Sequence, residues 1–94
     1  MKTLLIYDIE KDKIRNKIFQ ACKDYGLQHI QYSAFFGELN TNRREELRQR
    51  MRRILGDSVG KIYFFPICDK DLRLATQVIN TSELPIGEIE ETND

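Results

Sequence analysis

Two short runs of branched and aromatic residues stand near the two ends of the patterned part of the chain. They are Leu4-Leu5-Ile6-Tyr7-Asp8-Ile9 and Lys61-Ile62-Tyr63-Phe64-Phe65-Pro66-Ile67-Cys68. Runs of this length and composition read as strands. Between them the apolar period changes. Ile14, Ile18, Ala21, Cys22 and Tyr25 recur at the spacing of one helix face, from a start at Asp12 to a stop at Gly26. Leu47, Met51, Ile54 and Leu55 form a second such stripe, ended by Gly56. Asn40, Thr41 and Asn42 each offer an N-cap for it, and Asn42 with Glu45 has the capping-box shape. Residues 28 to 39 read as extended, with Ile30, Tyr32, Ala34 and Phe36 alternating against their neighbours. Twelve residues exceed one straight strand, so a bend near Ser33-Ala34 is expected, sharp enough to split the segment.

Strand, helix, split strand, helix, strand is the order βαββαβ. It predicts an α+β, ferredoxin-like fold, with an antiparallel sheet and two helices on one face. The first and last strands are apolar on both sides, yet helices cover one side, which predicts a second subunit against the other. Tyr7, Ile9, Tyr63 and Phe65 are the candidate interface residues of such a sheet-mediated homodimer. Pro66 predicts that pairing stops there on one side of its strand. Thr76-Gln77-Val78-Ile79 reads as a possible short strand, and Leu84-Pro85-Ile86 as an apolar handle. The expected organisation is one domain over residues 1–82 and an acidic extension over 83–94.

Charge changes this picture. The formal net charge is zero, but Glu83, Glu88, Glu90, Glu91 and Asp94 place five acids and no base in the last twelve residues. The rest holds fifteen Lys and Arg against ten Asp and Glu, a net of +5. Six arginines (Arg43, Arg44, Arg48, Arg50, Arg52, Arg53) fall in eleven residues of the second helix, with no lysine among them. Arginine suits bidentate phosphate contact. Glu45 and Glu46 pair with some of them at helical spacing, while Arg52, Arg53 and Arg15 have no local partner. A basic body points to a nucleic-acid partner, with Arg15, Arg43, Arg44, Arg48, Arg52 and Arg53 as candidate contacts.

Other chemistries lack their residues. Cys22 and Cys68 form no metal-binding or disulfide pattern, His29 is the sole histidine, and no glycine-rich phosphate loop is present. No apolar run has the length of a membrane span, and the start lacks a signal-peptide layout, so a cytoplasmic protein without membrane contact is expected. Asp8 stands out, because an unpaired carboxylate on an apolar strand is costly to bury. It caps the following helix, pairs with a lysine, or binds a metal at the sheet's rim. Across a two-fold axis, two copies of Asp8 would repel unless they shared a proton or a divalent cation.

Several blocks together resemble the CRISPR-associated small adaptation protein, an endoribonuclease-type family and the second of the two spacer-acquisition core proteins. They are Tyr7-Asp8-Ile9, Arg15 with Lys17-Ile18, Tyr25-Gly26, Gln31-Tyr32-Ser33-Ala34-Phe35 and Tyr63-Phe64-Phe65-Pro66-Ile67-Cys68. The resemblance spans about residues 1 to 70. It implies a ferredoxin-like homodimer, with a C-terminal strand supplementing the sheet across the dimer. It implies Asp8 as metal-binding and catalytic aspartate, one from each subunit, with magnesium as cofactor. The activity implied is a metal-dependent endonuclease on RNA or double-stranded DNA, acting with the CRISPR integrase. A non-catalytic DNA-binding scaffold in the same process, and a toxin-type ribonuclease of related fold, are the alternatives.

Overall fold

The structure is a computed structural model and describes residues 1–80. Strands β1 (Lys2–Ile9), β2 (Gln28–Gln31), β3 (Ala34–Glu38) and β4 (Gly60–Ile67) form one antiparallel sheet in the order β2-β3-β1-β4. Helices α1 (Asp12–Asp24) and α2 (Thr41–Leu55) complete the βαββαβ order. This is the ferredoxin-like plan that the apolar periodicity predicts.

The core lies between the helices and one face of the sheet. Leu5, Tyr7 and Ile9 from β1 and Phe35 from β3 pack against Ile18, Ala21 and Cys22 of α1 and against Leu47 and Met51 of α2. Ile62 and Phe64 of β4 close the same layer. Strand side chains alternate, so the other face presents Leu4, Ile6 and Asp8. The antiparallel register pairs Leu4 with Phe65, Ile6 with Tyr63 and Asp8 with Lys61.

That register corrects the expected interface. Tyr7 and Ile9 are 3 % and 4 % exposed beneath the helices, so they belong to the core and not to the open face. Tyr63 and Phe65 are 49 % and 47 % exposed and share the open face with Leu4 and Ile6. Which residues of two strands share a face depends on pairing parity, and a shift of one residue inverts it.

The split in the long extended segment falls at Tyr32-Ser33, where Gln31 pairs directly with Ala34. Two-residue hairpin loops favour left-handed residues. Here no non-glycine residue among those described has a positive φ. A register shift between His29 and Gln31 accompanies the turn, and a bulge of this kind adds local twist to the strand. The hairpin thus forms without a glycine or asparagine to mark it.

The second helix begins before the Asn42 start that its capping-box pattern implies. Asn40 is the N-cap, and its side chain accepts a 2.8 Å hydrogen bond from the Arg43 N–H. Asn42 lies inside the helix. Asn40→Ala is expected to destabilise the fold by about 1 kcal/mol, measured by urea denaturation, while Asn42→Ala leaves it nearly unchanged.

Among the described strands β4 lies at the sheet edge, where Pro66 is tolerated without loss of the pairing to β1. The register runs through Thr3–Pro66 to Lys2–Ile67. At the other end, Gly60 sits where a Cβ would come within 2.5 Å of Ile9 Cδ1 and 3.0 Å of Leu55 Cδ1. Ile9 is buried and cannot swing clear without disturbing the core. Gly60→Ala is therefore expected to cost about 1–3 kcal/mol of stability, read from the denaturation midpoint.

After β4 the chain makes one helical turn, α3 (Asp69–Leu72), where the sequence reads as a simple break. Residues 76–79 are not a strand. An isolated segment becomes a strand only when a sheet edge pairs with it. Leu84-Pro85-Ile86 and the acidic extension lie outside the described residues.

Candidate functional site at the open face of the sheet

Asp8 lies one residue from the C-terminal end of β1, on the face that the helices leave open, and is exposed. The alternatives that would consume its charge are not realised. The N-cap of α1 is Lys11, without a side-chain cap. Lys61 is directly opposite on β4, but no ion pair joins it to Asp8 among the described residues. Asp8 is thus a carboxylate at a sheet rim, with its oxygens available.

The strand end that carries it is held by Arg15. The guanidinium of Arg15 donates to the carbonyls of Ile9 at 3.0 Å and Glu10 at 3.3 Å, and it pairs with Asp12. These bonds fix the backbone immediately after Asp8. Arg15, expected to be unpaired and to contact nucleic acid, is occupied in positioning this turn. Tyr7, behind Asp8 on the buried side, has its phenol pushed above the ordinary tyrosine value. Burial is the main cause, and the nearby Arg15 charge opposes it.

The described residues of one chain do not by themselves assemble a metal site. No group of three or more His, Cys, Asp or Glu side chains converges on a point among the described residues. A free, exposed carboxylate nevertheless suits a hard cation that keeps most of its waters. The chemistry of the donor therefore fits a shared site, completed by a second acid from another subunit.

The arginines of α2 sit on the helix layer, across the sheet from Asp8, so the fold does not bring the two together. Their partners also differ from those that helical spacing implies. Arg48 does form the expected pair with Glu45, through two bonds of 3.0 and 2.7 Å. Hydrogen bonds from Arg48 and Gln49 hold the Glu45 carboxyl down at about 2, so this pair persists throughout the neutral range. Arg50 pairs with Asp24 of α1 at 2.9 Å and not with Glu46. Arg43 stacks over the Tyr25 ring, its guanidinium 4.5 Å from the centroid. Among the described residues, the guanidinium groups of Arg44, Arg52 and Arg53 have no hydrogen-bonded or ionic partner. Arg53 also lines a shallow depression with Tyr25, Asn42, Glu45, Glu46 and Gln49.

Of the two free cysteines, Cys68 is exposed at the end of β4 and Cys22 is in the core. Cys22 is fully buried, and burial pushes its thiol up to about 12, so it stays protonated at neutral pH. His29 is likewise occupied. Its ring lies 5.1 Å from Phe19 and 4.9 Å from Phe35, and Nε2 is 3.2 Å from the Tyr32 carbonyl oxygen. No described helix is long and apolar enough to cross a membrane.

One residue beside Asp8 is not singled out by the sequence alone. Lys61 is its cross-strand neighbour on β4. On the β3 side the Tyr7 N–H donates to the Ser33 carbonyl at 3.0 Å, tying the β2–β3 turn to β1. The place of Lys61 depends on strand register, which periodicity does not reveal.

The model of the family described as "CRISPR associated protein Cas2" matches residues 1–74. A protein of Desulforudis audaxviator named "CRISPR-associated endoribonuclease Cas2" is 56 % identical over 85 residues, covering 90 % of this chain and 80 % of its own. A Korarchaeum cryptofilum protein of the same name is 44 % identical over 79 residues, covering 83 % and 84 %. Among solved structures, Streptococcus pyogenes Cas2 at pH 6.5 superposes with a TM-score of 0.70 at 22 % identity, covering 83 % of this chain and 99 % of that one, a likeness of fold. The hypothetical protein TT1823 from Thermus thermophilus gives 0.72 at 28 % identity, covering 89 % and 95 %.

Proposed function

The chain belongs to the CRISPR-associated Cas2 family, and from that premise we propose that it is a magnesium-dependent endonuclease of CRISPR spacer adaptation. Its substrate is RNA, with duplex DNA as a second substrate, and it works as a homodimer beside the CRISPR integrase. The observation that carries the reading is the carboxylate of Asp8, exposed and without a partner among the described residues on the face the helices leave open. The relative at 56 % identity is named as an endoribonuclease, which supports the same reading.

Dimerisation supplies the missing half of the site. Ile6, Tyr63 and Phe65 expose apolar surface beside Asp8, and the Tyr63 and Phe65 rings stack at 6.0 Å between centroids. Packing this face against its copy removes that surface from water and brings two Asp8 side chains towards one axis. The paired carboxylates hold the cation, and Arg15 keeps each strand end in place. When bound, a divalent cation supplies charge stabilisation at a phosphoryl oxygen.

The position of the arginines favours a second reading, in which the dimer is a non-catalytic scaffold. Arg44, Arg52 and Arg53 lie across the sheet from Asp8 and suit phosphate contact without cleavage. Cleavage of single-stranded RNA and of duplex DNA, with magnesium and with a chelator, separates the two. Magnesium-dependent cutting supports the nuclease. DNA binding without cutting at any metal concentration supports the scaffold.

A further inference from the structure

Asp8 does not stand alone on the open face. Its register partner on β4 is Lys61, exposed and on the same side of the sheet. Directly opposed residues of an antiparallel pair hold their Cβ atoms about 4.5–5.5 Å apart. No hydrogen bond or ion pair engages the Lys61 ammonium among the described residues. Its charge therefore acts undiminished beside the carboxylate on which the metal reading depends. Arg15, the other cation near this strand end, differs. Its guanidinium pairs with Asp12 and donates to the Ile9 and Glu10 carbonyls.

A hard cation is held by oxygen ligands, and the charge those ligands carry tunes how tightly it is held. Two Asp8 carboxylates that meet across a two-fold axis bring two Lys61 ammonium groups with them, one beside each acid. A cation entering between the acids thus meets the repulsion of both lysines. In a site open to water that repulsion is screened, yet over a few ångströms it is still felt. A lysine near a sheet edge also has a simpler use, which is to discourage pairing with another chain. That use makes no demand on a metal, so metal affinity tells the two apart.

We propose that Lys61 keeps the Asp8 site weak, so that its divalent cation exchanges with solution instead of staying resident. The inference rests on the reading that paired Asp8 carboxylates hold the cation, and it adds what regulates that site. Lys61 touches no reacting atom in this role. It sets the field in which the carboxylate works, and register alone puts it there.

Manganese(II) is the probe, because carboxylate and water ligands suit it as they suit magnesium, and the paramagnetic resonance signal of the free ion falls as it binds. The full chain is titrated without nucleic acid, at a protein concentration where each variant sediments as a dimer. Lys61→Met keeps the aliphatic stem and removes the charge. It is expected to bind manganese about three- to tenfold more tightly than wild type. Lys61→Arg restores the wild-type affinity. Lys23→Met removes the same charge from the helix layer, where the ammonium lies 5.9 Å from the centroid of the Phe19 ring, and leaves the affinity unchanged. The gain from Lys61→Met vanishes when Asp8→Asn is added to it. Equal affinity in wild type and Lys61→Met, or an equal gain in Lys23→Met, overturns the role of Lys61 and leaves the metal reading standing. No manganese binding by wild type or by Lys61→Met removes the shared metal site itself, and the role of Lys61 with it.

Discussion

Asp8→Asn is expected to reduce magnesium-dependent cleavage by roughly a hundred- to several-thousand-fold while leaving the protein folded. The substitution keeps the shape of the side chain and removes its charge. A metal's charge stabilisation at a phosphoryl oxygen is worth several kcal/mol, and about 3–5 kcal/mol converts to that range. Stability is expected to be unaffected, since Asp8 is exposed and no hydrogen bond or ion pair to it occurs among the described residues. The dimer is expected to hold at least as tightly, because two carboxylates facing each other without a cation repel. Turnover, the denaturation midpoint and sedimentation of the variant check these three points together. A variant that cuts as fast as wild type would remove Asp8 from the chemistry.

The second large effect concerns the open face. Phe65→Glu is expected to break the proposed homodimer into folded monomers. Phe65 is 47 % exposed and pairs across the strands with Leu4, so a glutamate there meets water in the monomer and apolar surface in the dimer. Loss of an aromatic anchor at an interface centre costs about 2–4 kcal/mol, or roughly 30- to 1,000-fold in Kd. Analytical ultracentrifugation over a concentration series measures this directly. If Asp8 acts in pairs, cleavage by Phe65→Glu falls with dissociation and recovers at high protein concentration. A variant that sediments as wild type would place the interface elsewhere.

The periodicity of apolar residues was sufficient for the fold, and the failures that bear on the site are questions of pairing. The order βαββαβ follows from the stripe Ile14, Ile18, Ala21, Cys22 and its counterpart through Leu47 and Met51, flanked by two strand-like runs. The hairpin at Tyr32-Ser33 could be placed near its true position from the length of the segment alone. What periodicity does not carry is parity between strands. Tyr7 and Tyr63 both sit in apolar runs, yet the register pairs Tyr7 with Ile62 and sends Tyr63 to the opposite face. The same gap hid Lys61, whose place beside Asp8 exists only once β1 and β4 are aligned.

Side-chain partners were legible only where they were local. Glu45 and Arg48 lie three residues apart on one helix, and they pair. Arg50 reaches instead to Asp24 on the neighbouring helix, and Arg15 turns back to the carbonyls of Ile9 and Glu10. Both are tertiary choices, made after the elements pack. Asp8 itself was legible as an acid in an apolar strand, but its availability depends on the absence of a partner across the sheet.

The central claim is that paired Asp8 carboxylates hold a divalent cation at the dimer axis. Titration of wild type and Asp8→Asn with magnesium, followed calorimetrically on protein shown to be dimeric, tests it most directly. The account predicts one cation per two chains for wild type and loss of that binding in Asp8→Asn. Equal binding by both proteins would contradict it.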